Sequence, residues 1–128
     1  MVNENLETAS KLADKLLTEI DMYSKDYTSN DGKLAYTQLS IQALNAIIEQ
    51  GFTLYKYLVE KKLYEEYSEL TVPLNVLGGY IEKLQITKEN ATKLHLSDSL
   101  KLWEQAKIAI AILSAQVLEL YDNTKEGE

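Results

Sequence analysis

The chain has 128 residues, with 13 lysines, no arginine and 20 acidic residues, which gives a net charge of −7. Its 45% of hydrophobic residues suffices for one domain with a single buried core, and this excludes an intrinsically disordered chain. It has no cysteine, which excludes disulfides, thiol nucleophiles and cysteine-ligated metals. The longest apolar run, Ile108–Leu113, is far shorter than the about 20 residues that span a bilayer, and the chain does not begin with a signal-peptide pattern. We therefore expect a cytoplasmic protein without a membrane segment.

The first segment has apolar residues that alternate three and four positions apart, which places them on one stripe of a helix. They are Leu6, Ala9, Ala13, Leu16, Ile20, Tyr23 and Tyr27. The polar cluster Thr28–Gly32 then predicts a connection.

The second segment follows the same rule and predicts the longest helix, which is bent near Gly51 and extends past Leu63 to Tyr67. Its stripe is Leu34, Thr37, Ile41, Leu44, Ile48, Gly51, Tyr55 and Leu58. A second connection is predicted between Ser68 and Pro73.

A third helix is predicted to begin near Pro73, because the first turn of a helix does not need the missing N–H of proline. Its apolar residues are Leu74, Leu77, Ile81 and Leu84. Gly78 and Gly79 lower the intrinsic stability of this helix, so we expect close backbone contact with a neighbour. A third connection spans Gln85–Asp98, where Thr87 is a candidate cap for a short helical turn, and Ser97 or Asp98 for the last helix.

The last helix has two apolar faces, which indicates burial on two sides, either in the centre of a bundle or against a partner. The first face is Trp103, Ala106, Ile110, Leu113, Val117 and Leu120. The second, a candidate interface, is Ile108, Ala111, Ala115 and Leu118. We predict an all-α, single-domain bundle over residues 1–128. It has four main helices, one or two short extra helical turns between the third and the last, and a flexible tail from about residue 122.

No catalytic or metal-binding constellation is found in the sequence. His95 is the only histidine and lies in a connecting segment, so a di-iron bundle with two Glu-x-x-His pairs is excluded. Gly78-Gly79 is not followed by the Lys and Ser or Thr of a phosphate-binding loop. We therefore expect a protein that is not an enzyme, with no catalytic residue, metal, cofactor or small-molecule substrate.

Charge is unevenly distributed along the chain. The segment Lys83–Lys107 has five lysines and three acidic residues, a local charge of +2, while the remainder has eight lysines and 17 acidic residues, or −9. If the chain binds RNA, this segment is where we expect backbone contacts. The candidates are Lys83, Lys88, Lys93, Lys101 and Lys107.

Four tyrosines lie close together in the second segment: Tyr55, Tyr57, Tyr64 and Tyr67. Exposed tyrosines stack on bases or anchor a protein interface, and Tyr57 and Tyr64 are the candidates for that role. The alternative is that the rings lie in the core with their hydroxyls in water.

Two stretches resemble the small, all-helical, non-catalytic subunit of type III-B CRISPR effector complexes, the Cmr complexes. In that family a long helix carries an apolar run into Gly-Leu, followed by further apolar residues, and Leu44–Leu58 is similar. The last helix of the family has an alternation of small and aliphatic residues after a basic residue, which Lys107–Leu113 resembles, with Leu102-Trp103 just before it. The resemblance covers roughly Lys33 to Leu120.

The resemblance implies a cytoplasmic protein of antiviral defence that packs with copies of itself and with larger subunits along a guide–target RNA duplex. The alternative is an acidic helical protein–protein interaction module, such as a viral or plasmid-encoded inhibitor or a homo-oligomeric adaptor.

Overall fold

The computed structural model describes residues 3–27, 38–89 and 96–126, and every regular element among them is helical. These residues form five α-helices and one 3-10 turn, Ser68–Leu70. The helices are α1 (Glu4–Tyr27), α2 (Gln38–Glu60), α3 (Leu63–Glu66), α4 (Thr71–Glu89) and α5 (Leu96–Glu126). Four of them are long and form a bundle, which confirms the predicted all-α class with four main helices.

Helix α1 begins at a side-chain cap. The Asn3 side-chain oxygen accepts hydrogen bonds from the backbone N–H groups of Asn5 (2.9 Å) and Leu6 (3.3 Å), which supplies partners to amides that have none within the helix. The predicted stripe of α1 faces the core, since the following side chains are buried: Leu6, Ala9, Ala13, Leu16 and Tyr23.

Helix α2 ends at Glu60, so the prediction that it extends to Tyr67 is wrong. The backbone turns at Lys61 and Lys62, and Lys62 has a left-handed conformation with φ 53°. This turn allows Leu63 of α3 and Leu70 of the 3-10 turn to be completely buried. The short extra turns that the structure describes therefore lie between the second and third long helices; residues 90–95, between the third and the last, lie outside the described residues.

Helix α4 has Pro73 in its first turn, as predicted. Thr87 lies inside this helix, so it does not cap a separate helical turn. Helix α5 begins at Leu96, which places Ser97 and Asp98 within its first turn rather than before it, and their side chains lie outside the described residues. Helix α5 continues to Glu126, so the chain stays helical through most of the predicted flexible tail.

Helix α5 packs against all three other long helices and forms the centre of the bundle. The middle of its first predicted face is fully buried, and Trp103 and Leu120 at its ends pack partly buried against the core. Helix α2 continues through Gly51, where an added Cβ would overlap the side chain of Ile110. The glycine therefore allows α2 and α5 to approach closely.

In the part of the chain that the structure describes, none of the helices has the length and apolar character needed to cross a membrane.

Candidate interaction surface

The solvent-facing side of α5 is a narrow stripe with apolar residues at its centre. We name as the α5 outer stripe the exposed residues from Lys101 to Glu119, which are Lys101, Gln105, Ile108, Ile112, Ala115 and Glu119; Asp122 and Asn123 beyond it are also exposed. Ile108 is 56% exposed and Ile112 is 58% exposed, whereas Ile110 between them is completely buried. The six positions alternate four and three apart, which is the spacing of a helix seam that packs against another helix.

The outer stripe differs from the predicted second face of α5. Ile108 and Ala115 are exposed as that prediction required, but Ala111 and Leu118 are partly buried, and Leu118 packs against the bundle core. Ile112 takes the place of Ala111 on the exposed side. The sequence did contain this signal, because positions two residues from the core residue Ile110 lie about 200° around the helix from it.

The neighbouring helix α4 also presents apolar residues to solvent. Val72 is 71% exposed and Val76 is 49% exposed, whereas Leu74 and Leu77 on the same helix are buried. Scattered apolar residues are normal on protein surfaces, and exposed aliphatic side chains on two helices that pack against each other make these helices candidates for an interaction surface.

The structure describes the side chains of three of the five candidate lysines, Lys83, Lys101 and Lys107. Lys83 and Lys101 are exposed, and the Lys83 ammonium lies 5.6 Å from the centre of the Tyr80 ring. Lys88 belongs to α4, but its side chain lies outside the described residues, as does the whole of Lys93.

Lys107 is placed differently, because it points into the contact between α5 and α1. Its ammonium lies 2.7 Å from Glu104 Oε2, with the side chain only 12% exposed, and 4.8 Å from the centre of the Tyr23 ring. The Tyr23 hydroxyl donates a hydrogen bond of 2.9 Å to Glu104 Oε1. The charge of Lys107 is therefore paired inside the bundle, and this side chain is poorly placed for an RNA phosphate. The i,i+3 spacing of Glu104 and Lys107 is a sequence signal for the ion pair, but no local pattern indicates its contact with Tyr23.

The tyrosines of the second segment are partly buried with their rings against the core. The Tyr57 hydroxyl donates to Asn5 Oδ1 at 3.3 Å, which connects α2 to α1. Tyr64 lines a shallow open groove with Val59 and Leu74. This placement agrees with the alternative interpretation, in which the tyrosine rings pack against the core. Only the exposed part of the Tyr57 and Tyr64 side chains could then contact a partner.

No catalytic geometry emerges among the described residues. No three or more His, Asp or Glu side chains converge there in a way that would hold a metal ion. A second open groove between α1 and α2 is lined by Glu19, Met22 and Asp26. His95 lies outside the described residues.

Comparison with known proteins gives no match for this chain, either with family models or with curated proteins and solved structures.

Proposed function

We propose that this chain is a non-catalytic helical interaction protein that docks to other proteins through the α5 outer stripe. The observation that carries the proposal is the exposure of Ile108 and Ile112 on a helix whose other sides are covered by the bundle. Burying a fully exposed isoleucine side chain contributes about 1.5–3 kcal/mol. Since Ile108 and Ile112 are each a little over half exposed, a partner that covers both gains roughly one such contribution. We place the protein in the cytoplasm, where its partners would be subunits of a larger complex.

The seam spacing of the stripe supports a helix as the element that docks on it. Ile108, Ile112 and Ala115 recur every three or four residues, and this allows their side chains to fit between those of a facing helix. Polar residues at both ends of the stripe, among them Gln105 and Glu119, form the rim that protein interfaces usually have.

The test is purification of the tagged chain from its host, with co-purifying proteins quantified by mass spectrometry. The variant replaces Ile108 and Ile112 with glutamate. Its control makes the same replacement at Met22 and Leu39, which are exposed to a similar extent on α1 and α2. We expect the first variant to lose its partners and the control to keep them. Equal partner profiles for the two variants would contradict the proposal.

We propose as a second candidate the function implied by the resemblance of residues 44–58 and 102–113, a small subunit that packs along guide–target RNA in a type III CRISPR complex. Two exposed lysines, Lys83 and Lys101, support it, because they lie in the segment with a local positive charge. Lysine reaches phosphates as a point charge and reads no bases, so the isolated protein should bind RNA weakly and without sequence preference.

The RNA candidate is tested by binding of unrelated RNA sequences at several salt concentrations. Replacing Lys88, Lys93 and Lys101 with glutamine should abolish binding, while the same change at Lys11 and Lys15 should leave it intact. With few phosphate contacts the salt slope should be shallow, about 0.7–0.9 per contact on a log–log scale. Tight, sequence-specific binding, or loss of binding in the Lys11 and Lys15 variant, would show that the lysine assignment is wrong.

A further inference from the structure

The α5 outer stripe is symmetric about Ile110. Ile108 and Ile112 lie two residues to either side of it, and Gln105 and Ala115 lie five residues away. Lys101 and Glu119 lie nine residues away, one before and one after, and they carry opposite charges. A stripe with this order is complementary to a copy of itself that runs in the opposite direction.

We propose that two copies of this chain associate through the α5 outer stripe with their α5 helices antiparallel, so that a two-fold axis passes beside Ile110. This inference rests on the proposed function and names a second copy as the partner of that surface. Ile108 then packs opposite Ile112 of the partner subunit, and Lys101 lies opposite Glu119 of the partner subunit. Each contact occurs twice, as an isologous interface requires.

Charge complementarity selects the antiparallel arrangement. In a parallel pair, each Lys101 would face Lys101 of the partner subunit and each Glu119 would face Glu119 of the partner subunit, which is repulsive. Both side chains are exposed, and neither has an ion-pair partner among the residues that the structure describes. They are therefore available for a contact between copies.

The size of the surface sets the strength of the association. A single pair of facing helices, each with a short apolar centre, belongs to the small class of interfaces that form weak and reversible complexes. We expect a dissociation constant on the order of 10–100 μM, so that dimers appear as the protein concentration rises.

The test is sedimentation velocity from about 1 μM to about 500 μM, a range that brackets this dissociation constant. The proteins compared are the wild type, Lys101→Glu, Glu119→Lys and the double charge swap. Each single variant turns two attractive pairs into repulsive ones and should weaken the dimer about tenfold. The double swap restores both attractions, so it should dimerise like the wild type, and it has the same net charge of −7.

Two control variants separate the proposed contact from general effects. Lys15→Glu changes the net charge as Lys101→Glu does, but lies on α1, so it should leave the dimer unchanged. Ile112→Glu should abolish the dimer, and Leu39→Glu should not. Since all of these positions are exposed, circular dichroism should show a folded helical protein for every variant.

A wild type that stays monomeric to the highest concentration would overturn the inference, as would a double swap that remains as weak as the single variants. If the protein is monomeric but still loses its host partners when Ile108 and Ile112 are changed, a second copy is ruled out as the partner, while the proposed docking surface is supported. A dimer rescued by the double swap supports the inference even if the host partners do not depend on the stripe, a result that overturns the proposed function alone.

Discussion

Three glycines lie in the interior of the long helices, and their surroundings differ. An added Cβ at Gly51 would overlap the buried Ile110, and one at Gly78 would lie 3.0 Å from the Tyr55 hydroxyl oxygen. Gly79 has open space around it. The expectation of close contact at Gly78-Gly79 is therefore confirmed for Gly78 and wrong for Gly79, because only the first faces another helix.

We predict opposite effects for alanine at Gly51 and Gly79. Gly51→Ala should lower the free energy of unfolding by about 1–3 kcal/mol, because the completely buried Ile110 has little room to move aside. Gly79→Ala should raise it by about 0.5–1 kcal/mol, because it gains helix propensity without a clash. Urea unfolding followed by circular dichroism measures both values. Stabilisation by both changes would show that α2 and α5 are less closely packed than described.

Lys107 and Lys101 are a matched pair on one helix with different environments. Lys107 is paired with Glu104 beside Tyr23, so removing it leaves a carboxylate without its cation in a largely covered place. We predict that Lys107→Ala lowers the free energy of unfolding by about 1–3 kcal/mol. Lys101→Ala should cost less than about 0.5 kcal/mol, because Lys101 is exposed.

The same urea unfolding experiment decides between these environments. If both lysine variants lower the free energy of unfolding by the same small amount, Lys107 is a free surface charge. It would then again be a candidate for contact with RNA.

At the scale of the element, α5 shows how one helix divides its residues between core and surface. The run Ile108–Ile112 has isoleucine at every second position, and the helical twist sends the central one inward and the outer two outward. Sequence reasoning assigned Ile110 correctly but chose Ala111 over Ile112 for the second face.

Because Ile110 is buried and Ile112 is exposed, we predict that the same substitution lowers the free energy of unfolding by different amounts at the two positions. Ile110→Ala and Leu113→Ala should each lower the free energy of unfolding by about 2–5 kcal/mol, because they leave cavities in the core. Ile112→Ala, with the side chain 58% exposed, should cost less than about 1 kcal/mol. Thermal and urea unfolding of the three variants measure these differences. Similar losses for Ile110 and Ile112 would mean that the face assignment is wrong.

The position at which α2 ends could not be predicted from the sequence. Lys62 takes up a left-handed conformation that normally favours glycine or asparagine and costs other residues about 1–2 kcal/mol. A lysine therefore gives no local sign of a turn. The gain that offsets this cost comes from tertiary packing, since the turn allows Leu63 and Leu70 to be fully buried in the bundle core.

For the whole molecule, the central position of α5 predicts a single cooperative unfolding transition. Detaching α5 exposes the core faces of α1, α2 and α4 together, so no part of the bundle keeps a complete core. The only tryptophan, Trp103, packs partly buried against the core from α5. Its fluorescence and the far-ultraviolet circular dichroism should therefore change at the same urea concentration. Two separate midpoints would contradict a single domain.

The sequence by itself determined the helical class, the buried stripes of α1, α2 and α5, and the position of Pro73 in the first turn of α4. These features depend on residues a few positions apart, whose spacing and steric limits are properties of the local backbone. It also located the positive segment and the surplus of apolar surface on the last helix.

Only the tertiary structure decided that Lys107 is largely buried beside Tyr23, and that α2 stops at Glu60. Tyr23 and Lys107 are far apart along the chain, and the second face predicted from spacing included Ala111 and Leu118, which the bundle partly covers. The burial of a side chain depends on which helix lies beside it, and no local pattern records that neighbour.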